Sequence, residues 1–243
     1  MRKPIVIIEK EETIPAEILS WASSHSVPVI HENSSVGKTP VAAEKSGDDN
    51  PISDYDYVIE YSEDITTDYL DTAYCHAHNL PADITSTSRL VIREIGPEDL
   101  DSYREILCKY PEAVSDPTLL DLPFNEFKDR HLAYMKYSYS LLGYGIWGIF
   151  LKDTEDDISG KMIGIAGLDG TGIPSLSYAL FEEYQGMGYA SEACKAIIDY
   201  AVCNHEINRI NLCVKQDNTS SLKLARKLIT LYPDTLSILE ERP

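Results

Sequence analysis

A chain of 243 residues, 43% apolar and 25% charged, has room for one large domain or two small ones with ordinary packed cores. It holds no apolar run of the roughly 18 to 20 residues that a membrane span needs. Its net charge of −19 is shared between −11 in residues 1–84 (5 basic against 16 acidic side chains) and −8 in residues 85–243 (16 against 24), a field that repels nucleic acid and anionic membranes; it would favour a cationic acceptor, although acidity more often serves solubility alone.

The opening segment carries Ile5-Val6-Ile7-Ile8 and runs straight into Glu9, Glu11 and Glu12, with no small-residue cleavage site. It reads as a buried strand over residues 4–9 rather than a signal peptide, and a cytoplasmic location is expected. A helix follows over 15–25 and a strand over 27–30. Residues 32–55 lose periodicity and fill with Ser, Asp, Asn, Lys, Gly and Pro, as an irregular segment does. A third strand is predicted at 57–61 and a helix at 66–78, with Tyr69, Leu70, Ala73 and Tyr74 on its apolar side. This string predicts a small Rossmann-like α/β domain over residues 1–84.

Residues 80–88, Leu-Pro-Ala-Asp-Ile-Thr-Ser-Thr-Ser, read as a polar connection to a second domain over 85–243. Residues 89–95 alternate apolar and charged side chains, the pattern of a half-exposed strand. Helices are predicted at 99–109 and, opening at Pro123, at 123–140. Strands at 144–152, 161–168 and 173–181 are joined by the turn-forming segments 153–160 and 169–172. Beyond them lie a helix at 188–204, a strand at 209–215, a helix at 219–229 and a short strand at 235–239. The five cysteines (Cys75, Cys108, Cys194, Cys203, Cys213) form no C-x-x-C pair, so neither a disulfide framework nor a zinc site is expected.

The chemistry concentrates in Tyr178-Ala179-Leu180-Phe181-Glu182-Glu183-Tyr184-Gln185-Gly186-Met187-Gly188-Tyr189-Ala190-Ser191. A strand, a glycine-bearing turn and an amphipathic helix in succession leave several N–H groups at the helix start without a helical partner. Together with the positive end of the helix dipole they form a socket for an anion. Gly186 and Gly188 let the main chain approach a phosphate closely, and Ala190 and Ser191 keep the first turn slim.

Gln185-Gly186-Met187-Gly188-Tyr189-Ala190 fits the Q/R-x-x-G-x-G/A signature of the GNAT acetyltransferases, which binds the coenzyme A pyrophosphate. Tyr178, Glu183-Tyr184 and Glu192-Ala193 resemble the flanks of that signature in the ribosomal-protein-alanine acetyltransferase-like branch. Asn218 and Ser221 resemble its N-x-x-S, and Arg89-Leu90-Val91-Ile92-Arg93 its opening strand. The resemblance covers roughly residues 86–230. It implies a mixed, mostly antiparallel α/β sheet with flanking helices and a splayed central strand pair, and acetyl-CoA as co-substrate without a metal. Pantetheine would pair with main-chain groups near Leu180, Phe181 and Glu182. Gln185, Gly186, Met187, Gly188, Tyr189, Ala190 and Ser191 would hold the pyrophosphate. Asn218 would touch the pantetheine arm, and Ser221 would sit by the thioester sulfur as a hydrogen-bond donor to the thiolate. An acceptor amine, of a small molecule or a protein, would attack the thioester directly in a ternary complex.

Three positions depart from the family. Ser175 stands where many relatives carry a glutamate base, Ala225 where other branches place an acidic tyrosine, and the tail after Thr230 is too short for the usual final hairpin. Asp169 or Glu182 would then relay the proton. These departures favour, as the alternative, a non-catalytic module that binds acyl-CoA. Gly37-Lys38-Thr39 lacks the first glycine of a phosphate loop, which Glu32 replaces, and His76 and His78 fall on different helix faces. The first 80 residues faintly resemble a haloacid-dehalogenase-like layer, but Lys10-Glu11-Glu12 stands where that family has D-x-D. A non-catalytic role is expected there: docking, homodimer formation or acceptor recognition.

Overall fold

In the computed structural model, which describes residues 3–9, 13–31, 55–113, 117–134, 139, 142–152, 160–170 and 172–241, the chain divides into two units, Met1–Ala82 and Asp83–Pro243. The run Ile5-Val6-Ile7-Ile8 lies in strand β1 (Lys3–Glu9), between β2 (Val29–His31) and β3 (Tyr55–Glu60) and parallel to both. All four apolar residues are buried, as the central strand of a parallel layer requires. Helices α1 (Ala16–Ser24) and α2 (Thr67–Ala77) contribute Ile18, Trp21 and Leu70 to the same cluster as Ile5, Ile7 and Ile59. Trp21 Nε1 donates to Asp71 Oδ1 at 2.6 Å, tying α1 to α2. Thr66 caps α2 by accepting the Tyr69 N–H. The second strand begins later than expected because the Val27 N–H donates to the Ala22 carbonyl, which keeps residue 27 in the turn that leaves α1. The irregular segment expected over 32–55 lies, up to residue 54, outside the described residues, as do the phosphate-loop-like tripeptide and residues 10–12.

The second unit is a seven-stranded sheet in the order β10-β9-β8-β7-β6-β5-β4. Its first strand corrects the sequence reading. Residues 83–86, taken as part of a polar connection, form β4 (Asp83–Ser86), antiparallel to β5 (Leu90–Arg93). An edge strand with one apolar side chain in four looks like a linker, and that polarity is what protects an open sheet edge. Strand β5 is the second correction. Leu90 and Ile92 join one core cluster while Val91 and Ile95 join another, so both faces are covered. Two of the charges of this segment are withdrawn from solvent as well. Arg93 pairs with Asp99 at 2.7 and 3.0 Å, its guanidinium 3.8 Å from the Phe150 ring centroid, and Glu94 is 1% exposed.

Strands β6 (Ile146–Leu151), β7 (Met162–Asp169) and β8 (Ser175–Leu180) continue the antiparallel order. Helices α3 (Leu100–Lys109) and α4 (Phe124–Tyr134) cover one face, through Tyr103, Ile106, Leu107 and Phe127. The other face is covered by α5 (Tyr189–His205) and α6 (Thr219–Leu231), through Ala193, Ile197, Ala201, Ala225 and Leu228. Beyond the sheet centre, β9 (Ile210–Lys215) and β10 (Leu236–Glu241) run parallel to each other, joined by α6.

Candidate functional site

Strand β8 is fully paired with β7, from Asp169↔Ser175 to Gly164↔Leu180, yet shares only the rung Ser175↔Asn211 with its parallel neighbour β9. The Asn211 N–H reaches the Pro174 carbonyl at 2.8 Å, and past that point the two strands part. The Phe181 N–H donates to Ile163 on β7, so by the alternation of strand geometry the main-chain groups of Tyr178 and Leu180 turn toward the gap. This corrects one expectation. Phe181 has its N–H on Ile163 and its carbonyl on the Tyr184 N–H, and its ring is buried, so it has no main-chain donor for a ligand. Glu182 fits better: its N–H has no protein acceptor among the described residues.

The gap leads to a turn (Glu182–Tyr184) and then to the start of α5. Gly186 and Gly188 have φ of +74° and +86°, in the left-handed region that glycine enters without penalty. Gly188 occupies the N-cap, and no side chain caps the helix. The first amide with a main-chain partner is that of Glu192, which donates to the Gly188 carbonyl. Among the described residues the N–H groups of Gly186, Met187, Gly188, Tyr189, Ala190 and Ser191 have no protein acceptor. Six consecutive free amides at the positive end of a 17-residue helix form an anion socket.

Side chains from distant parts of the chain brace this socket, and the sequence reading missed them. Arg89 donates from Nη1 to the Met187 carbonyl at 3.2 Å, lies 4.4 Å from the Tyr189 ring centroid, and grips Glu192 Oε2 through Nε and Nη2 at 2.8 and 2.6 Å. Thr87 Oγ1 donates to the other oxygen of Glu192 at 2.5 Å. Partial burial pushes the Glu192 carboxyl up, but the hydrogen bonds from Thr87 and Arg89 and the Arg89 charge outweigh it, and the pKa ends below its ordinary value. Lys227, reaching over from α6, donates to Ser191 Oγ at 3.0 Å and adds a second cation. Gln185, expected as a ligand contact, instead shapes the loop: its N–H bonds Glu182, and its Nε2 bonds the Leu180 carbonyl and Tyr110 Oη, each at 2.9 Å. Met187 is exposed at the tip.

Helix α6 begins at the far lip of the gap. Asn218 is its N-cap, Oδ1 accepting the Ser221 N–H at 3.0 Å, which leaves the Asn218 amide group to face outward as a donor. Ser221 stands in the first turn, and its hydroxyl acts on the Tyr178 phenol. Ala225 is 3% exposed, a core residue where other branches would place an acid. Ser175 Oγ lies 3.6 Å from Cys213 Sγ, and Asp169, opposite Ser175 in the ladder, accepts the Gly170 N–H. Tyr134 and Tyr139 fix the start of β6 by bonding the N–H and the carbonyl of Ile146. A recess of about 540 Å³ between β4 and α5, lined by Thr85, Thr87, Glu192, Lys195 and Asp199, touches the socket only through its bracing residues and contains no part of the gap. Among the described residues there is no cluster of metal-ligating side chains, and no helix is long and apolar enough to cross a membrane.

Residues 89–228, more than half of the chain, match the acetyltransferase (GNAT) domain family. An uncharacterised N-acetyltransferase, p20, from Bacillus licheniformis is 32% identical over 152 residues, which cover 58% of this chain and 79% of that protein. Among solved structures, an acetyltransferase from Agrobacterium tumefaciens str. C58 is similar at 26% identity and a TM-score of 0.47, over 59% of this chain and 81% of that one. A putative GNAT-family acetyltransferase from Bordetella pertussis is similar at 22% identity and a TM-score of 0.46, over 59% and 86%. With its parted strands and the free amides beyond them, and with a family match spanning both, the chain belongs to the GNAT family and is an acetyl-CoA-dependent N-acetyltransferase.

Proposed function

We propose that the pyrophosphate of acetyl-CoA lies on the amides of Gly186 to Ser191, flanked by Arg89 and Lys227, with pantetheine in the gap between β8 and β9. The observation that supports this most is the run of six unpaired amides next to strands that separate after one rung. Pantetheine replaces the missing ladder, using the Leu180 and Glu182 N–H groups and the Asn218 amide. Bound this way, the thioester meets the acceptor in a ternary complex. The neutral amine attacks the carbonyl carbon and the oxygen takes up negative charge, which a main-chain N–H of β8 on the gap side stabilises. The carbon–sulfur bond then breaks, CoA leaves as a thiolate hydrogen-bonded by Ser221, and the proton lost by the amine passes through Asp169, Glu182 or water to the thiolate.

The acceptor amine belongs to a small molecule or a protein. Kinship with the ribosomal-protein-alanine acetyltransferase-like branch rests on the flanks of the glycine signature, and the net charge of −19 favours a cationic acceptor over nucleic acid or an anionic membrane. The unit Met1–Ala82 serves as a Rossmann-like, non-catalytic layer for docking, homodimer formation or acceptor recognition, since Lys10-Glu11-Glu12 rather than a D-x-D pair follows its first strand. Calorimetric titration with acetyl-CoA, followed by free-thiol release with amine and peptide panels, tests the whole reading. Binding with thiol release supports it; binding without release across broad panels leaves the acyl-CoA-binding module; no binding refutes the site.

A further inference from the structure

Tyr178 occupies the strand that borders the gap, with its ring on the α5–α6 face, packed against the core. Its hydroxyl oxygen is buried and makes no hydrogen bond. Leaving a buried hydroxyl unpaired is costly, and native proteins seldom retain one without a use. Two side chains bear on it electrostatically: the Ser221 hydroxyl on α6, as a hydrogen-bonding group, and the buried Cys194 thiol on α5. The Ser221 hydroxyl bears on the phenol as a hydrogen-bonding group does, yet the pair does not meet the geometry of a formed hydrogen bond. A serine side chain has three staggered rotamers, and a change between them is the kind of small movement that completes such a bond.

We infer that Tyr178 is a positioning residue for acyl transfer: with CoA in the gap its hydroxyl donates to Ser221 Oγ and so directs the single Ser221 proton at the sulfur. The inference rests on the acetyl-CoA site proposed above. A serine has one proton to give. Alone in the first turn of a helix it divides that proton among several local acceptors. Engaged as an acceptor by Tyr178, it keeps its proton for the leaving group. No proton passes to or from the phenol. Burial pushes the Tyr178 pKa up, against a smaller lowering by Ser221, to about 12, so the group remains a neutral donor at every working pH. In the reaction the carbon–sulfur bond breaks, its electron pair stays on sulfur, and two hydrogen bonds in series stabilise the charge until the acceptor's proton arrives.

The test needs no acceptor, because CoA itself is the probe. Ionisation of the bound CoA thiol is followed by thiolate ultraviolet absorbance against pH in the full-length protein and in Tyr178→Phe, Ser221→Ala and the double variant, with CoA affinity measured alongside. Removing an unpartnered hydroxyl is expected to leave the free Tyr178→Phe protein melting at or above the unsubstituted protein. The bound thiol pKa is expected to rise by about one unit in Tyr178→Phe, with CoA affinity within about twofold, since a hydrogen bond to the charged form is lost. Ser221→Ala raises it at least as far, and the double variant no further than Ser221→Ala. An unchanged thiol pKa in Tyr178→Phe, or additive shifts in the double variant, overturns the inference. Failure of the unsubstituted protein to bind CoA overturns the acetyl-CoA site itself and, with it, this role.

Discussion

Gly186→Ala separates a glycine kept for the ligand from one kept for the fold. A Cβ built on Gly186 meets no protein atom within 4 Å, so the substitution makes no clash. What remains is backbone strain: at φ +74° an L-residue costs about 1–2 kcal/mol. In a chain of this size each kcal/mol lowers the melting temperature by about 2–4 °C, so a fall of roughly 2–8 °C is expected and the protein stays folded. The open space around that position is where a phosphate held by the neighbouring amides must lie. Acetyl-CoA affinity is therefore expected to fall at least tenfold, about 1.4 kcal/mol. Gly170→Ala is the matched control, at φ +93°, also with nothing within 4 Å, in the turn after β7 and away from the socket. It should show similar strain and unchanged affinity. Calorimetric titration with acetyl-CoA and thermal melts of both variants decide the matter. Equal affinities for Gly186→Ala and Gly170→Ala would refute the assignment of the socket.

Arg89→Ala removes an ion pair whose partners are 44% and 18% exposed, so stability should change by no more than about 1 kcal/mol, while loss of the bond to Met187 weakens acetyl-CoA binding several-fold. Arg89→Lys should not restore that affinity, since a lysine cannot reproduce the fork on Glu192 and Met187. Lys227→Ala should weaken acetyl-CoA binding about two- to fivefold and flatten its salt dependence; a titration series in potassium chloride reads both. Glu192 has a folded pKa below the ordinary 4.5, so its contribution to stability is complete above that pH and is lost as the pH falls through the depressed folded value. Melting temperatures of the unsubstituted protein and Glu192→Gln should therefore converge as the pH is lowered from 6 to 3, and a constant difference would refute this.

What was legible in the sequence was what local chemistry encodes. The helix 188–204 announced itself by apolar spacing, and α5 runs Tyr189–His205. The two glycines of the socket were readable because only glycine takes their φ cheaply, and Asn218 because a helix start needs a cap. Arg89 and Lys227 were not readable as socket residues: they reach Met187 and Ser191 from 98 and 36 residues away, and nothing local marks a surface cation for that task. Gln185 was legible in position but not in direction, since its side chain turns back onto Leu180 and Tyr110. Strand β4 was hidden by its own edge polarity. Arg93 and Glu94 looked exposed because a one-dimensional alternation of charge shows neither the pairing of Arg93 with Asp99 nor the layer that covers this face of the strand.

The single rung between β8 and β9 also shapes how the molecule comes apart. Strands β9 and β10 are sewn together by a continuous parallel ladder and linked through α6, but this piece is held to the rest of the sheet mainly by side-chain packing. Such a piece is a cooperative unit of its own, and its amide protons should exchange with solvent together and sooner than those of β5 to β8. Any ligand that stitches the two edges becomes a staple. Its grip is then felt across the whole flap, out to the carboxy-terminal strand that it never touches.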